Sequence, residues 1–124
     1  MKKMRPLFHP SPDDISVEGI LHALADPIRV RIFTQIAAAD CPQTCSAFLE
    51  FEDRAVPKST LSQHFKVLRD AGLIRSERRG VELHNVSRCA ELAARFGALV
   101  PTIVAAHETE LARAKAAKRK TRRA

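Results

Sequence analysis

Residues 58–72 read KSTLSQHFKVLRDAG, and this stretch decides the fold. Leu61, Phe65 and Leu68 recur at spacings of four and three residues, which predicts an amphipathic helix with one apolar stripe. The opposite face carries short hydroxyls, an amide and cations, and no acid precedes Asp70. A solvated helix face normally mixes Lys, Glu and Arg, so a face without acids needs its own explanation.

The positive charge of the chain is unevenly distributed. The formal net charge is +7, and six of the 21 basic residues lie in the last ten positions. Residues 58–88 hold seven basic and three acidic groups, whereas residues 13–56 hold three basic and eight acidic groups. This separation favours a polyanionic partner that is approached from one side. For residues 115–124 a second interpretation stays open, which is a solubilising, disordered end.

Length and composition exclude several classes of protein. A chain of 124 residues fits one domain with a single modest core. No apolar run approaches the length of a membrane span, and MKKMRPLFHP lacks the apolar centre of a signal peptide, so we expect a cytoplasmic protein. Three cysteines, an odd number, predict free thiols. We expect no enzyme, because no Gly-rich phosphate loop or nucleophile elbow is present.

Helices are predicted before residues 58–72. Three prolines within residues 1–14 indicate a flexible arm. Ser16 is placed to cap a first helix, and Asp26 is placed to cap a second one that begins with Pro27. A loop around residues 40–44 then leads to a short helix predicted near residues 45–51.

A hairpin and two more helices are predicted after Gly72, which ends the central helix as a left-handed C-cap. Two extended runs flank Arg79-Gly80, the pattern of a β-hairpin with a basic tip. Ser87 is placed to cap the next helix, and Gly97 closes it. A last helix begins near Ala98 and ends in the basic tail.

This order of elements predicts a winged helix-turn-helix, mainly α with a small β-hairpin wing. A recognition helix must leave its outer face open to base edges and phosphates, which explains the absence of acids. His64 lies at the edge of the apolar stripe, so it either contacts DNA or wedges against the preceding helix. The predicted DNA contacts are Lys58, Ser59, Thr60, Ser62, Gln63, His64, Lys66 and Arg69 on the helix, and Arg78 and Arg79 on the wing.

Two apolar stripes lie near the ends of the chain. One contains Val17, Ile20 and Leu24, and the other contains Leu99, Ile103 and Leu111. A domain of this size cannot cover both, which predicts a two-fold dimer through the terminal helices. The predicted boundaries are a flexible arm at residues 1–14, a DNA-binding and dimerisation domain at residues 15–114, and a disordered basic tail at residues 115–124.

Three segments resemble the ArsR/SmtB family of winged-helix transcriptional repressors. They are LADPIRVRI at residues 24–32, KSTLSQHFKVLRDAGLI at residues 58–74 and SERRGVELHNVS at residues 76–87. The resemblance covers roughly residues 16–112. It implies a homodimer whose two subunits contact each other through the first and last helices. It also implies that the dimer holds a double-stranded DNA operator with two-fold symmetry and releases it when an effector binds.

The sequence departs from the family at both of its sensing sites. The family's thiol site has two cysteines one residue apart before the recognition helix, but here Gln43 accompanies Cys45. The family's zinc site on the last helix would use His107 and Glu110, but Ala94 and Phe96 stand where its other two ligands belong. The resemblance therefore does not carry either site over intact.

The cysteines Cys41, Cys45 and Cys89 are the candidate effector-sensing residues, and three interpretations of them stay open. Thiolates bind soft metals and arsenic(III), they are oxidisable switches, and cysteine is also a small hydrophobe that fills cores. No metal or other cofactor follows from the sequence with certainty. An alternative function class also stays open, a nucleoid-type or RNA-binding structural protein that binds through the tail AKAAKRKTRRA.

Overall fold

The described part of the chain forms five α-helices, a three-stranded antiparallel sheet and a separate pair of short antiparallel strands. The structure is a computed structural model, and it describes residues 7–39, 43–44, 50–51 and 54–123. The helices are α1 (Val17–Ala23), α2 (Pro27–Ala38), α3 (Lys58–Asp70), α4 (Cys89–Phe96) and α5 (Leu99–Arg123). The strands are β1 (Gln43–Thr44), β2 (Glu50–Phe51), β3 (Arg54–Ala55), β4 (Ile74–Arg79) and β5 (Glu82–Ser87).

Side-chain caps fix the starts of the first two helices. Ser16 Oγ accepts the backbone N–H of Gly19 at 3.0 Å, and Asp26 Oδ1 accepts that of Ile28 at 2.8 Å. Each bond satisfies a donor that a helix end leaves without an intrahelical partner. Both predicted caps are confirmed.

The predicted hairpin is confirmed, and the sheet has a third strand. Strands β4 and β5 pair antiparallel from Ile74 opposite Ser87 to Arg79 opposite Glu82, and Gly80 adopts a φ of 62° in the turn. Strand β1 adds to the other edge of β5, where the sequence predicted only a loop.

The prediction of a short helix near residues 45–51 is wrong at the C-terminal end of that segment. Residues 45–49 lie outside the described part, but Glu50–Phe51 form β2, which pairs antiparallel with Arg54–Ala55. A short apolar run has no periodicity that separates helix from strand, and here the pairing of two backbones decides between them.

The predicted cap at Ser87 is also wrong. Ser87 stays in strand β5, paired with Ile74, and Arg88 takes the position before α4. The buried Arg88 side chain donates to Glu91 Oε2 at 2.6 Å and to the carbonyl of Pro10 at 2.8 Å. No side chain caps the start of α4, and an ion pair between Arg88 and Glu91 lies beside it.

One apolar core joins all five helices and the base of the hairpin. Helix α2 runs through its centre and contacts α3, α5 and β5. The first helix buries Ile20 and Leu24 but leaves Val17 and Leu21 exposed, so only part of its stripe faces the core. The fully buried large side chains are those of Phe33, Phe65, Ile20, Ile32, Leu61, Leu68, Leu73, Ile74 and Asn85.

The last helix packs on the core only near its start. Val100 is buried, Leu99 and Ile103 are half-buried against the core, and Pro101 lies in the first turn, where its missing N–H costs no hydrogen bond. The helix continues to Arg123, through most of the predicted tail. No single helix among the described residues is long and apolar enough to cross a membrane; α4 and α5 reach that length and composition only as a pair bent by 108°.

The described part of the predicted arm packs against the domain. His9 Nε2 accepts the backbone N–H of Ser76 at 3.0 Å, and Pro10 is buried. Arg95 Nη1 donates to the carbonyl of Ile15 at 2.7 Å, just after a 3-10 turn at Pro12–Asp14. The segment from residue 7 to residue 15 therefore bridges the base of the hairpin and α4.

Candidate nucleic-acid interface

Helix α3 has one face buried in the core and one face open to solvent. Leu61, Phe65 and Leu68 are buried, as the sequence pattern predicts. Because these residues anchor the helix, its other side is held outward on a rigid support. The exposed side chains there are Lys58, Ser59, Thr60, Ser62, Gln63 and Lys66.

The charge of this open face is positive over its N-terminal half. The first turn of α3 contains no acidic residue, and Pro57 at the N-cap provides no side-chain cap. Backbone N–H groups at such a helix start attract anions such as phosphate. Asp70 closes the face at the other end, where it pairs with Lys66 Nζ at 2.8 Å.

His64 faces α2 rather than the open side of α3. Its side chain is only 8% exposed, and its Nδ1 lies 3.4 Å from Arg29 Nη1. A guanidinium only donates, so Nδ1 accepts and the ring is neutral. Burial lowers the pKa of His64, and Arg29 lowers it further, although Asp26 opposes both effects. The structure favours the alternative in which His64 wedges against the preceding helix.

Arg69 also lies away from the open face. It is 9% exposed, and its Nη1 donates to Ser76 Oγ at 3.4 Å at the base of the hairpin. Ser76 Oγ in turn donates to Asn85 Oδ1 at 2.5 Å, directly across the two strands. Arg69 thus connects α3 to the wing, and two of the ten predicted DNA contacts, His64 and Arg69, point inward.

The wing presents its basic tip to solvent. Arg78 and Arg79 are exposed just before the turn, and Val81 after it is 97% exposed. Arg79 Nη2 lies 3.6 Å from Glu77 Oε2, an exposed pair that contributes little to stability. The tip therefore carries Arg78, which forms no ion pair with any residue that the structure describes, and the weakly paired Arg79, beside an apolar side chain.

Sequence reasoning missed the polar groups that support this interface. Ser76, Asn85 and Arg88 are buried, and they join the hairpin to α3, α4 and the N-terminal segment. Strand alternation with the buried Ile74 could have identified Ser76 as inward-facing. No local pattern identifies the bond from Arg88 to Pro10, because the two residues are 78 positions apart, although the other partner of Arg88, Glu91, is only three residues away.

The predicted sensing residues are only partly within the described structure. Cys41 and Cys45 lie outside the described residues, whereas Cys89 is an exposed free thiol at the start of α4. Within the described ranges no group of three His, Cys, Asp or Glu side chains is placed to hold a metal ion. His107 lies beside α2, and its Nε2 is buried without a hydrogen-bond partner in the described structure.

Comparisons with known proteins agree with this geometry. A family described as a helix-turn-helix domain matches residues 24–77. An ArsR-like transcriptional regulator from Rhodococcus sp. RHA1 is 23% identical, with a TM-score of 0.52 over 84% of this chain and 90% of that protein. The crystal structure of an ArsR family transcriptional regulator is 25% identical, with a TM-score of 0.56 over 77% of this chain and 93% of that protein.

A third structure, of the M. tuberculosis protein Rv0081, is 24% identical, with a TM-score of 0.52 over 82% of this chain and 89% of that protein. No curated protein sequence matches this chain significantly. The anchored helix, its open face and the hairpin after it define a winged helix-turn-helix protein. The comparisons confirm the resemblance seen in the sequence: the chain has an ArsR-like winged helix-turn-helix fold and is similar to ArsR-family transcriptional regulators.

Proposed function

We propose that this protein is a homodimeric transcriptional repressor that reads a two-fold symmetric operator in double-stranded DNA. Helix α3 enters the major groove, and the wing contacts the flanking backbone or minor groove. An effector then releases the protein from its operator.

The open face of α3, which holds no acid before Asp70, carries the proposal. Its exposed side chains are the types that recognise bases and phosphates, namely hydroxyls, one amide and two lysines. Its inward residues are fixed by the core, by Arg29 and by Ser76. A merely solvated helix would not need this combination of a rigid support and a face without acids.

Selection from random duplexes tests DNA reading directly. The purified full chain is incubated with a library of random double-stranded DNA, and the retained fragments are sequenced after several rounds. We expect one enriched motif with two inverted half-sites about one helical turn apart. Retention of fragments without any shared motif would contradict sequence-specific reading.

A dimer is supported by the apolar side chains that the chain leaves uncovered. Val17 and Leu21 on α1 are 40% and 51% exposed, and Leu99, Ile103 and Leu111 on α5 are only half-buried. A second copy related by a two-fold axis would cover these residues and place two α3 helices side by side. Operator symmetry would then mirror the symmetry of the protein.

The effector mechanism is proposed at the thiols. Cys45 precedes the recognition helix in sequence, and Cys41 lies four residues before Cys45. We expect mild oxidant to lower operator affinity and dithiothreitol to restore it, with Cys45→Ser insensitive to both. Arsenite or a soft metal would act through the same residue if the site traps metals. A Cys41→Ser/Cys45→Ser variant that responds like the parent would exclude this mechanism.

The basic tail supports the alternative of a nucleoid-type or RNA-binding protein. Its described residues 115–122 are exposed, and they hold five cations and no acid. Replacing the tail's six Lys and Arg residues with Gln separates the two functions. A sequence-specific regulator keeps its operator preference, whereas a tail-driven binder loses most of its affinity for every nucleic acid.

A further inference from the structure

A groove lies between α2, α4 and α5, separate from the open face of α3. Its volume is about 300 Å³. Phe33, Leu92 and Val100 form its buried floor, and Ala37 and Ala93 form part of its walls. The groove exists because small side chains on α2 and α4 leave space that the larger residues of the core do not fill.

The described walls of the groove offer no partner to a charged ligand. Among the described residues that line it there is no Lys, Arg, Asp, Glu or His, and the polar side chains are those of Thr34 and Cys89. Thr34 Oγ1 already donates to the carbonyl of Val30 at 2.7 Å, so it can only accept a hydrogen bond from a ligand. A charged group would lose its hydration here without gaining a partner.

The size of the groove limits its occupant. Apolar cavities of roughly 150 Å³ accept benzene, so a groove about twice as large fits roughly a dozen non-hydrogen atoms. This volume is at the lower end of the range for small-molecule sites, roughly 300 Å³. A peptide or a second protein chain would cover the groove without filling its floor.

We propose that this groove binds a small, neutral, mainly apolar molecule, such as a fused-ring aromatic alcohol, whose hydroxyl donates to Thr34. Cys89 lies at the wall of the same groove, so the bound molecule shields its thiol. This binding does not require DNA.

The position of the groove also connects it to the elements that read DNA, an argument that rests on the proposed function. Helix α2 forms one wall, and its Arg29 contacts His64 on α3. Helix α4 forms another wall, and it follows wing strand β5 after the single buried residue Arg88. A ligand in the groove therefore contacts both the helix that packs on α3 and the helix that follows the wing, and a change in the spacing of these two helices would shift α3 relative to the wing.

Direct binding of 2-naphthol tests the proposal. The full chain carries Cys41→Ser and Cys45→Ser, so that Cys89 is its only thiol, and fluorescence of the probe is titrated without DNA. The rate at which N-ethylmaleimide alkylates Cys89 is measured in parallel. We expect saturable binding and slower alkylation in the presence of the probe.

Two leucine substitutions on the same helix provide the matched control. Ala93→Leu fills the groove from α4, whereas Ala94→Leu places the same side chain on an exposed position that does not line it. We expect Ala93→Leu to weaken binding by about tenfold or more and to abolish protection of Cys89, because the added carbons occupy the ligand's space. Ala94→Leu should retain both.

Other outcomes overturn the proposal. Equal binding to both leucine variants would place 2-naphthol elsewhere on the chain. If the probe fails to bind and Ala93→Leu instead changes the sedimenting mass, the groove is a contact between copies of the chain. Failure of the proposed function is distinguishable, because it would appear as a lack of operator selection while the probe still binds.

Discussion

The backbone N–H of Ser76 donates to Nε2 of His9 at 3.0 Å, across 67 residues of sequence. This bond attaches the N-terminal segment to the base of the wing. It requires the neutral form of the imidazole, because a protonated Nε2 donates and cannot accept. Protonation of His9 therefore removes one of the bonds that hold the segment, while those from Arg88 to Pro10 and from Arg95 to Ile15 do not depend on it.

Acidification should weaken this attachment and lower the free energy of unfolding. Burial lowers the pKa of His9 below its ordinary value of 6.5, and Arg75, Arg69 and Arg88 lower it further, while the backbone of Leu7 opposes them. Below pH 6.5 the unfolded chain therefore binds more protons at this position than the folded chain. The contribution of His9 to the free energy of unfolding is complete above pH 6.5, and it declines as the pH falls toward the lower pKa of this residue in the folded state.

Urea unfolding of the parent and His9→Gln at about pH 7.5 and about pH 5.5 measures this effect. The amide oxygen of Gln can accept the same N–H but does not titrate. We expect His9→Gln to lose less stability on acidification than the parent. Some dependence should remain, because the lowered pKa of His64 acts in the same direction. Identical losses in the two proteins would exclude His9 as the cause.

Gly72→Ala should be more destabilising than Gly80→Ala. Both glycines have positive φ, 84° and 62°, where an L side chain is strained. A Cβ at Gly72 would also overlap with Ile15 Cγ1, whereas a Cβ at Gly80 meets no atom within 4 Å. We expect Gly72→Ala to cost about 1–3 kcal/mol more than Gly80→Ala in urea unfolding. Equal costs would show that Ile15 moves aside freely.

Gln63→Ala should reduce both affinity and sequence preference on the selected operator. Gln63 is exposed in the N-terminal half of α3, where recognition helices contact base edges. We expect a loss of about 1–3 kcal/mol on the preferred site and a much smaller loss on random duplex. Lys66→Ala is the control, since the loss of a phosphate contact weakens binding to all sequences alike. A loss that is the same on both DNAs would assign Gln63 to the backbone.

Arg78→Ala/Arg79→Ala should weaken binding to every duplex and flatten its salt dependence. Both side chains are exposed at the tip of the wing, where they can reach phosphates. Each lost phosphate contact lowers the slope of log affinity against log salt by about one. The control is a variant in which the exposed residues Arg113 and Lys115 on α5 are both replaced by Ala. It removes the same charge from a different part of the chain. Equal slopes for the wing variant and the parent would place the wing away from DNA.

Val17→Glu/Leu21→Glu should convert the proposed dimer to a monomer. Both side chains are exposed in the single chain, so folding should not suffer, whereas burial of two carboxylates in an interface is costly. Sedimentation velocity measures the mass, and thermal unfolding checks the fold. Val81→Glu, at the exposed tip of the wing, is the control and should stay dimeric. A dimer that survives in the α1 variant would exclude α1 from the interface.

The sequence by itself determined the helices and the open face of α3. Local signals were sufficient for this, because the cap at Asp26, the stripe through Leu61 and Phe65, and the turn at Gly80 each depend on neighbours within a few residues. The same signals identified six of the eight predicted contacts on α3 as exposed. They failed at Glu50–Phe51 and at Ser87, where strand pairing overrides local preference.

Only the tertiary structure decided which polar side chains support the interface. His64 and Arg69 share their helix with the open face, but they are buried because Arg29 and Ser76 lie opposite them. His9 meets Ser76, and Arg88 meets Pro10, over distances that no periodicity encodes. Helical spacing fixes which residues share a face of a helix, whereas the packing of other elements against that helix decides which of those residues solvent or DNA can reach.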